Sequence, residues 1–175
     1  MHFILEVLWF ILPAYAANSV AVDVSAVPFL KKYSQPMDFG ASFMGKRILG
    51  DGKTWRGFIC GILAGVIVGF VQSVLQARYS WGVLEMSVLL AFLLSFGAMT
   101  GDLIESFIKR RMGFVSGQSL PLLDQLDFVF GAFYFAWLLV PVDLMFFAVA
   151  LVATIPIHYA ANLIAWALKL KKFPW

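Results

Sequence analysis

Cysteine, histidine and charge are all scarce in this chain. The single cysteine, Cys60, leaves no intrachain disulfide to form, and its place in an apolar stretch reads as packing. Two histidines, His2 and His158, cannot furnish a His-rich metal centre; His158 stands four residues before Asn162 and reads as half of a polar pair between helices. Charged residues make up 13% of the chain against 62% hydrophobic, with a mean hydropathy of +0.88. That balance excludes an ordinary soluble domain. No internal repeat or low-complexity tract breaks the 175 residues, which read as one domain, 1–175.

What is present is long apolar runs. A hydrocarbon core about 30 Å thick needs about 20 apolar helical residues, and such runs cover 3–24, 58–76, 83–100, 128–140 and 144–168. The fourth is short and is expected to begin earlier, at Leu122 or Asp124. The expected fold is therefore an all-α polytopic membrane protein with five transmembrane helices. Glu6, Pro13, Asn18 and Asp23 interrupt or flank the first run and no basic residues precede it, so a cleaved signal peptide is not expected. Of the 13 Lys and Arg residues, all except Arg78 fall on one side of this arrangement. Positive charge collects in cytoplasmic loops. The N-terminus is thus expected outside and the C-terminus inside, with loops 26–56 and 101–123 both cytoplasmic.

The second run carries Gly57, Gly61, Gly65 and Gly69, one glycine every fourth residue on a single helical face. Such a face lets another backbone come close. It serves either packing within the chain or a homodimer contact.

The rare charges are concentrated. Between Gly101 and Asp127 stand Asp102, Glu105, Asp124 and Asp127, with Lys109, Arg110 and Arg111 between them. Ionisable groups at membrane depth cost several kcal/mol unless they pair, bind a metal or line water, so they mark function by default. At about 100° per residue, Asp102, Glu105, Ser106 and Lys109 return to one helical face. Asp124 and Asp127 repeat that spacing at the start of the fourth run. Four carboxylates at the mouths of two neighbouring helices can supply oxygen ligands to a hard cation such as Mg²⁺, which bridges carboxylates and substrate phosphates. Paired interfacial charges, with the basic triplet anchoring on anionic headgroups, are the plainer alternative.

The long loop adds Pro36 to Gly40 and the run from Gly45 to Gly57. Gly50-Asp51-Gly52-Lys53-Thr54 invites a Walker A reading, but Arg47 stands where that motif needs its first glycine, and no βαβ unit surrounds it. What remains is a glycine-loosened loop whose Lys46, Arg47, Lys53 and Arg56 can make charge-assisted bonds to a polyphosphate.

Lys53-Thr54-Trp55 followed by Arg56-Gly57, then Gly101-Asp102-Leu103, Glu105-Ser106 and Lys109-Arg110, then Asp124 and Asp127, resemble the CDP-diglyceride synthase superfamily, whose members join CTP to a phospholipid acid. Asn18, Asp38-Phe39-Gly40, the full run 45–57 and the short length are similar to its archaeal branch. The larger bacterial and eukaryotic members carry a histidine and paired glycines before an Asp-Arg pair; here Pro121 runs straight to Asp127, and Gln125 stands where they have the arginine. Asp124 is matched to the first aspartate of that pair, with the roles of Asp124 and Asp127 exchangeable.

The resemblance implies a cytidylyltransferase that joins CTP to 2,3-bis-O-(geranylgeranyl)-sn-glycerol 1-phosphate, releasing pyrophosphate. It implies Asp102, Asp124 and Asp127 as Mg²⁺ ligands, with Glu105 as a weaker ligand or a supporting group. Lys46, Lys53 and Arg56 would meet the pyrophosphate, with Thr54 offering a hydroxyl. Lys109 and Arg110 would grip the lipid phosphate or the triphosphate. Asn18 would touch headgroup or base, or bond a neighbouring helix. Alternatives are a phosphatidate cytidylyltransferase on ester lipids, a cation channel or transporter using the acidic cluster, and a scaffold assembled on the glycine face.

Overall fold

In a computed structural model, residues 2–24, 32–79, 84–118, 120 and 122–167 are described. The elements run α1 (His2–Asp23), β1 (Ser42–Phe43), β2 (Lys46–Arg47), α2 (Trp55–Tyr79), α3 (Val88–Met112), α4 (Leu123–Ala136) and α5 (Leu144–Ala167). Among the described residues four helical stretches, Phe3–Asp23, Trp55–Tyr79, Val88–Met112 and Leu144–Leu163, are long and apolar enough to cross a membrane. At 14 residues α4 rises only about 21 Å.

Two boundaries differ from expectation. The helix expected to end at 100 continues to Met112, so the loop expected from 101 is helical over its first half. The reason lies at its end: Gly113 takes a left-handed φ of 93°, its N–H donates to Arg110 O, and the Phe114 N–H reaches back to Lys109 O. That is a glycine-terminated Schellman stop. The fourth helix starts at Leu123, as the early start proposed for it requires, and ends at Ala136, where the Leu139 and Val140 amides turn back onto Ala136 O. This early start puts Asp124 and Asp127 on the helix.

The core is a set of apolar faces from α1, α3, α4 and α5. Phe10, Phe133 and Phe146 meet with ring centroids 5.3 to 6.4 Å apart, and Val7, Ile11, Leu90, Leu94 and Val129 are buried around them. The outer faces of α2 and α5 remain apolar and exposed, with Ile67 at 62% and Val152 at 70%, as lipid-facing surfaces require.

The glycine face of α2 is filled within the chain. A Cβ at Gly61 would stand 2.8 Å from Ala17 O, one at Gly65 2.5 Å from Pro13 O, and one at Gly69 within 2.0 Å of Ala91 Cβ. α2 is thus wedged against α1 and α3. Of the two readings of Gly57, Gly61, Gly65 and Gly69, packing within the chain is the one seen, and the homodimer contact is not supported, because all four glycines are buried against the chain's own helices.

Candidate active site

α3 and α4 approach each other through three small residues. A Cβ at Gly97 would lie 2.3 Å from Gly131 O, one at Gly101 2.3 Å from Asp127 O, and one at Gly131 2.1 Å from Gly97 O. Any side chain there would drive the helices apart. Backbone contact at Gly101 sets Asp127 beside Asp102, and Glu105 follows one turn along α3. One carboxylate oxygen from each of Asp102, Glu105 and Asp127 lies within 4.8 Å of the other two.

Cations surround this triad. Lys53 Nζ donates to Asp102 Oδ1 at 2.6 Å. Lys109 Nζ, its side chain 8% exposed, sits 3.1 Å from Glu105 Oε1 and 3.0 Å from Asp124 Oδ1. Asp124 is not one of the three but borders them, sharing the Lys109 ammonium with Glu105. Its Oδ2 accepts the Leu120 N–H at 3.0 Å while its own N–H donates to Leu120 O, which ties Leu120 to the start of α4. Asp127 Oδ1 accepts the Phe128 N–H at 2.6 Å.

The triad opens into a cavity of about 650 Å³. Its lining includes the ionisable Lys53, Asp102, Glu105, Lys109, Arg110, Asp124 and Asp127, together with the polar Asn18, His158 and Asn162 from α1 and α5. His158 and Asn162, both on α5, line this one cavity. They continue a four-residue step that begins in the core with Phe146, Ala150 and Thr154. Lys46, Thr54 and Arg56 are not among the residues lining this cavity. Lys46 Nζ donates to Arg111 O, and Thr54 Oγ1 accepts the Gly57 N–H at 3.2 Å, capping α2. Arg56 is buried at the start of that helix.

Lys53 reaches the triad because the loop before it is ordered, not loosened. Asp38, with no exposed side-chain surface, accepts Arg47 Nη2 at 2.7 Å and Nε at 3.2 Å. It also accepts the N–H groups of Gly40, Leu49 and Gly50 at 3.0 Å each. The Arg47 guanidinium, with these amides, holds its carboxyl well below the usual carboxylate range. The Met37 N–H then donates to Lys53 O, and the Trp55 N–H to Gln35 O, strapping the 50–55 segment in place.

Sequence reasoning did not single out Asp38, Gly97, Gly101 or Gly131 as builders of the site. A signal existed for the glycines: Gly97 and Gly101 are spaced as in the membrane close-contact motif. Ser116, Gln118 and Gln125 also line the cavity.

The arrangement can do one kind of chemistry well. Three convergent hard-oxygen ligands fit a divalent cation such as Mg²⁺, and lysine and arginine beside them fit phosphate groups.

Comparison with known proteins agrees with this chemistry. A family model described as CarS-like, CDP-archaeol synthase, matches residues 1–175. The chain is 44% identical to a CDP-archaeol synthase of Pyrococcus horikoshii, covering 100% of this chain and 99% of that one. It is 39% identical to another from Methanocaldococcus jannaschii, covering 96% and 95%. A solved structure described as an intramembrane enzyme for archaeal membrane lipids biosynthesis superposes with a TM-score of 0.76 at 33% identity, over 91% of this chain and 94% of its own. With apolar membrane helices, an acidic triad ringed by cations and full-length similarity of this kind, the chain belongs to the CDP-archaeol synthase family.

Proposed function

We propose that the protein transfers the cytidylyl group of CTP to 2,3-bis-O-(geranylgeranyl)-sn-glycerol 1-phosphate, forming CDP-archaeol and pyrophosphate. The observation that carries the reading is the convergence of Asp102, Glu105 and Asp127 within 4.8 Å, next to Lys53, Lys109 and Arg110, in one cavity. An oxygen of the lipid phosphate attacks the α-phosphorus of CTP, and the bond to the β-phosphate oxygen breaks as pyrophosphate leaves. Such transfers depend mainly on positioning and charge stabilisation, so no nucleophilic side chain is needed.

Asp102, Glu105 and Asp127 would hold Mg²⁺, which when bound supplies positive charge at the α-phosphate. Asp124 has a different part in this reading: its carboxylate and that of Glu105 hold the Lys109 ammonium at the cavity wall, where it meets an incoming phosphate. Lys53 and Arg110 face the same space and bind the triphosphate and the departing pyrophosphate. Lys46, Thr54 and Arg56 support the loop and α2 around them. Asn18, His158 and Asn162 belong to helices that border the bilayer, and in this reading they face the glycerol end of the lipid.

We further infer that the chain crosses the membrane five times with the cavity facing the cytoplasm. What supports five crossings is direction: α4 begins at the cavity with Asp124 and Asp127, and α5 returns to it with His158 and Asn162. What supports the orientation is the gathering of Lys and Arg at that end.

The test is release of CDP-lipid from labelled CTP by the purified protein. It is offered geranylgeranylated glycerol phosphate or phosphatidic acid, with Mg²⁺ and with chelator. Metal-dependent product from the ether lipid supports the reading. Preference for phosphatidic acid would assign the ester-lipid reaction instead, and no product from either lipid in a folded protein would refute the enzyme.

A further inference from the structure

The loop between α1 and α2 presents three large apolar side chains outward: Met44 is 80% exposed, Phe39 66% and Phe43 54%. Two of them occupy positions that ordinarily belong to small polar residues. Met44 and Gly45 have φ of 51° and 74° at the two-residue turn joining β1 to β2, and Phe39 and Gly40 have φ of 49° and 82°. Turns with consecutive positive φ favour Asn or Asp at the first of these places, and a bulky side chain there is uncommon. A methionine and a phenylalanine at such sites, facing water, would be disfavoured by both backbone and solvent. A bilayer in contact with them removes the solvent penalty.

The hairpin is fixed where a bilayer would meet it. The Arg111 guanidinium, on the last turn of α3, donates to the carbonyls of Phe43, Lys46 and Arg47. It lies between the Phe43 ring at 5.6 Å and the Phe107 ring at 5.2 Å. The same end of α3 exposes Ile104, Ile108 and Met112, the continuation of its lipid-facing surface. On the α2 side, the Phe39 ring is 6.5 Å from that of Trp55, which stands 40% exposed at the first residue of that membrane helix. Tryptophan at a helix end belongs to the membrane interface. Apolar side chains flanked by Lys46 and Arg47 have the composition that binds an anionic membrane surface.

We propose that the Phe39 turn and the 42–47 hairpin lie in the headgroup layer of the bilayer that the helices cross. Phe39, Phe43 and Met44 enter the ends of the acyl chains, and Lys46 faces lipid phosphates. The loop that carries Lys53 is thereby held at headgroup depth. This placement is independent of the catalytic reading and stands or falls on its own measurement.

The experiment replaces the native cysteine (Cys60→Ala) and introduces Met44→Cys for an environment-sensitive fluorophore. The full chain is placed in nanodiscs containing anionic lipid, which leave both faces open to solvent. A nitroxide on lipid chains near the headgroup should quench the label strongly, and aqueous iodide should quench it far less than the same label on Asp51→Cys. Iodide quenching equal to that at position 51 overturns the proposal. Protection from iodide without nitroxide quenching, as burial against a second copy of the chain would give, overturns it equally. Phe39→Cys in the same background gives a second reading should the Met44 variant fail to fold.

Discussion

At the end of the bundle where α2 passes to α3, Glu6 accepts the Leu84 N–H at 3.0 Å, and Gln76 donates to Leu84 O while accepting the Met86 N–H. Nearby, Gln72 donates to Trp9 O at 2.7 Å from a buried position. At the other end, Asp102, Glu105 and Asp127 face one another, and the side chains that neutralise them come from a loop and from α3 itself. Both ends place polar groups in an apolar chain. In the first, each acid or amide satisfies backbone that the helices leave unpaired, which is what a buried polar group requires. In the second, three carboxyl groups converge and line a cavity of about 650 Å³. The difference separates polarity that closes a fold from polarity that holds a ligand.

The largest break in that comparison should come from the triad. Asp127→Asn removes one carboxyl ligand from the three and keeps the shape. Loss of one preorganised group that stabilises reacting charge costs about 10²–10³ in rate. CDP-lipid formation should therefore fall by about that factor, while the melting temperature in detergent is retained because the amide keeps the shape and its oxygen can still accept the Phe128 N–H. An active Asp127→Asn enzyme would remove Asp127 from the site.

Gly131→Ala sharpens the structural side of the same argument. Its Cβ would lie 2.1 Å from Gly97 O and 2.9 Å from Gly101 backbone atoms, none of which can rotate away. Forced overpacking of this kind costs about 3 kcal/mol, read as a lowered melting temperature together with lost activity as Asp127 leaves Asp102. Gly40→Ala meets no neighbour but stands at a φ of 82°, so it should strain its own turn without separating the helices.

That contrast bears on what was legible in the sequence. The long apolar runs, the grouping of Asp102, Glu105, Asp124 and Asp127, and the family resemblance could be read directly, because helical period and residue chemistry are local properties. Which helix faces which is not local. Periodicity placed Asp102 and Glu105 on one face of α3, yet it could not tell that Gly97, Gly101 and Gly131 bring Asp127 to them while Asp124 turns to Lys109 and Leu120. The loop was harder still. Lys46, Lys53 and Arg56 look equivalent as cations, but a buried Asp38 folds the chain so that Lys53 reaches the cavity and Lys46 does not.

Asp38→Asn tests that ordering. An amide puts a donor among the Arg47 guanidinium and three N–H groups, all donors themselves. Leaving such groups unsatisfied costs about 1–3 kcal/mol, measured as faster protease cleavage between α1 and α2 and weaker CTP binding. The pH dependence has a definite sign. A carboxylate whose pKa is depressed by folding contributes stability above its unfolded value of about 3.9, and that contribution is lost as pH falls through the lower folded value. The deficit of Asp38→Asn should therefore be constant from about pH 5 to about pH 8 and shrink only in acid.

Glu6→Gln is the smallest change and the sharpest control on the two ends. The glutamine carbonyl oxygen can accept the Leu84 N–H as the carboxylate does, so the bond that closes the α2 to α3 connection survives without the charge. Stability should move by less than about 0.5 kcal/mol, and CDP-lipid formation should be unchanged, since no residue near Glu6 lines the cavity. The same acid-to-amide exchange is thus silent at one end and disabling at the other, where a neutral amide cannot replace the charge of a metal ligand. Activity lost in Glu6→Gln with the melting temperature intact would mean that the far end does more than close the fold, and the division between the two ends would have to be redrawn.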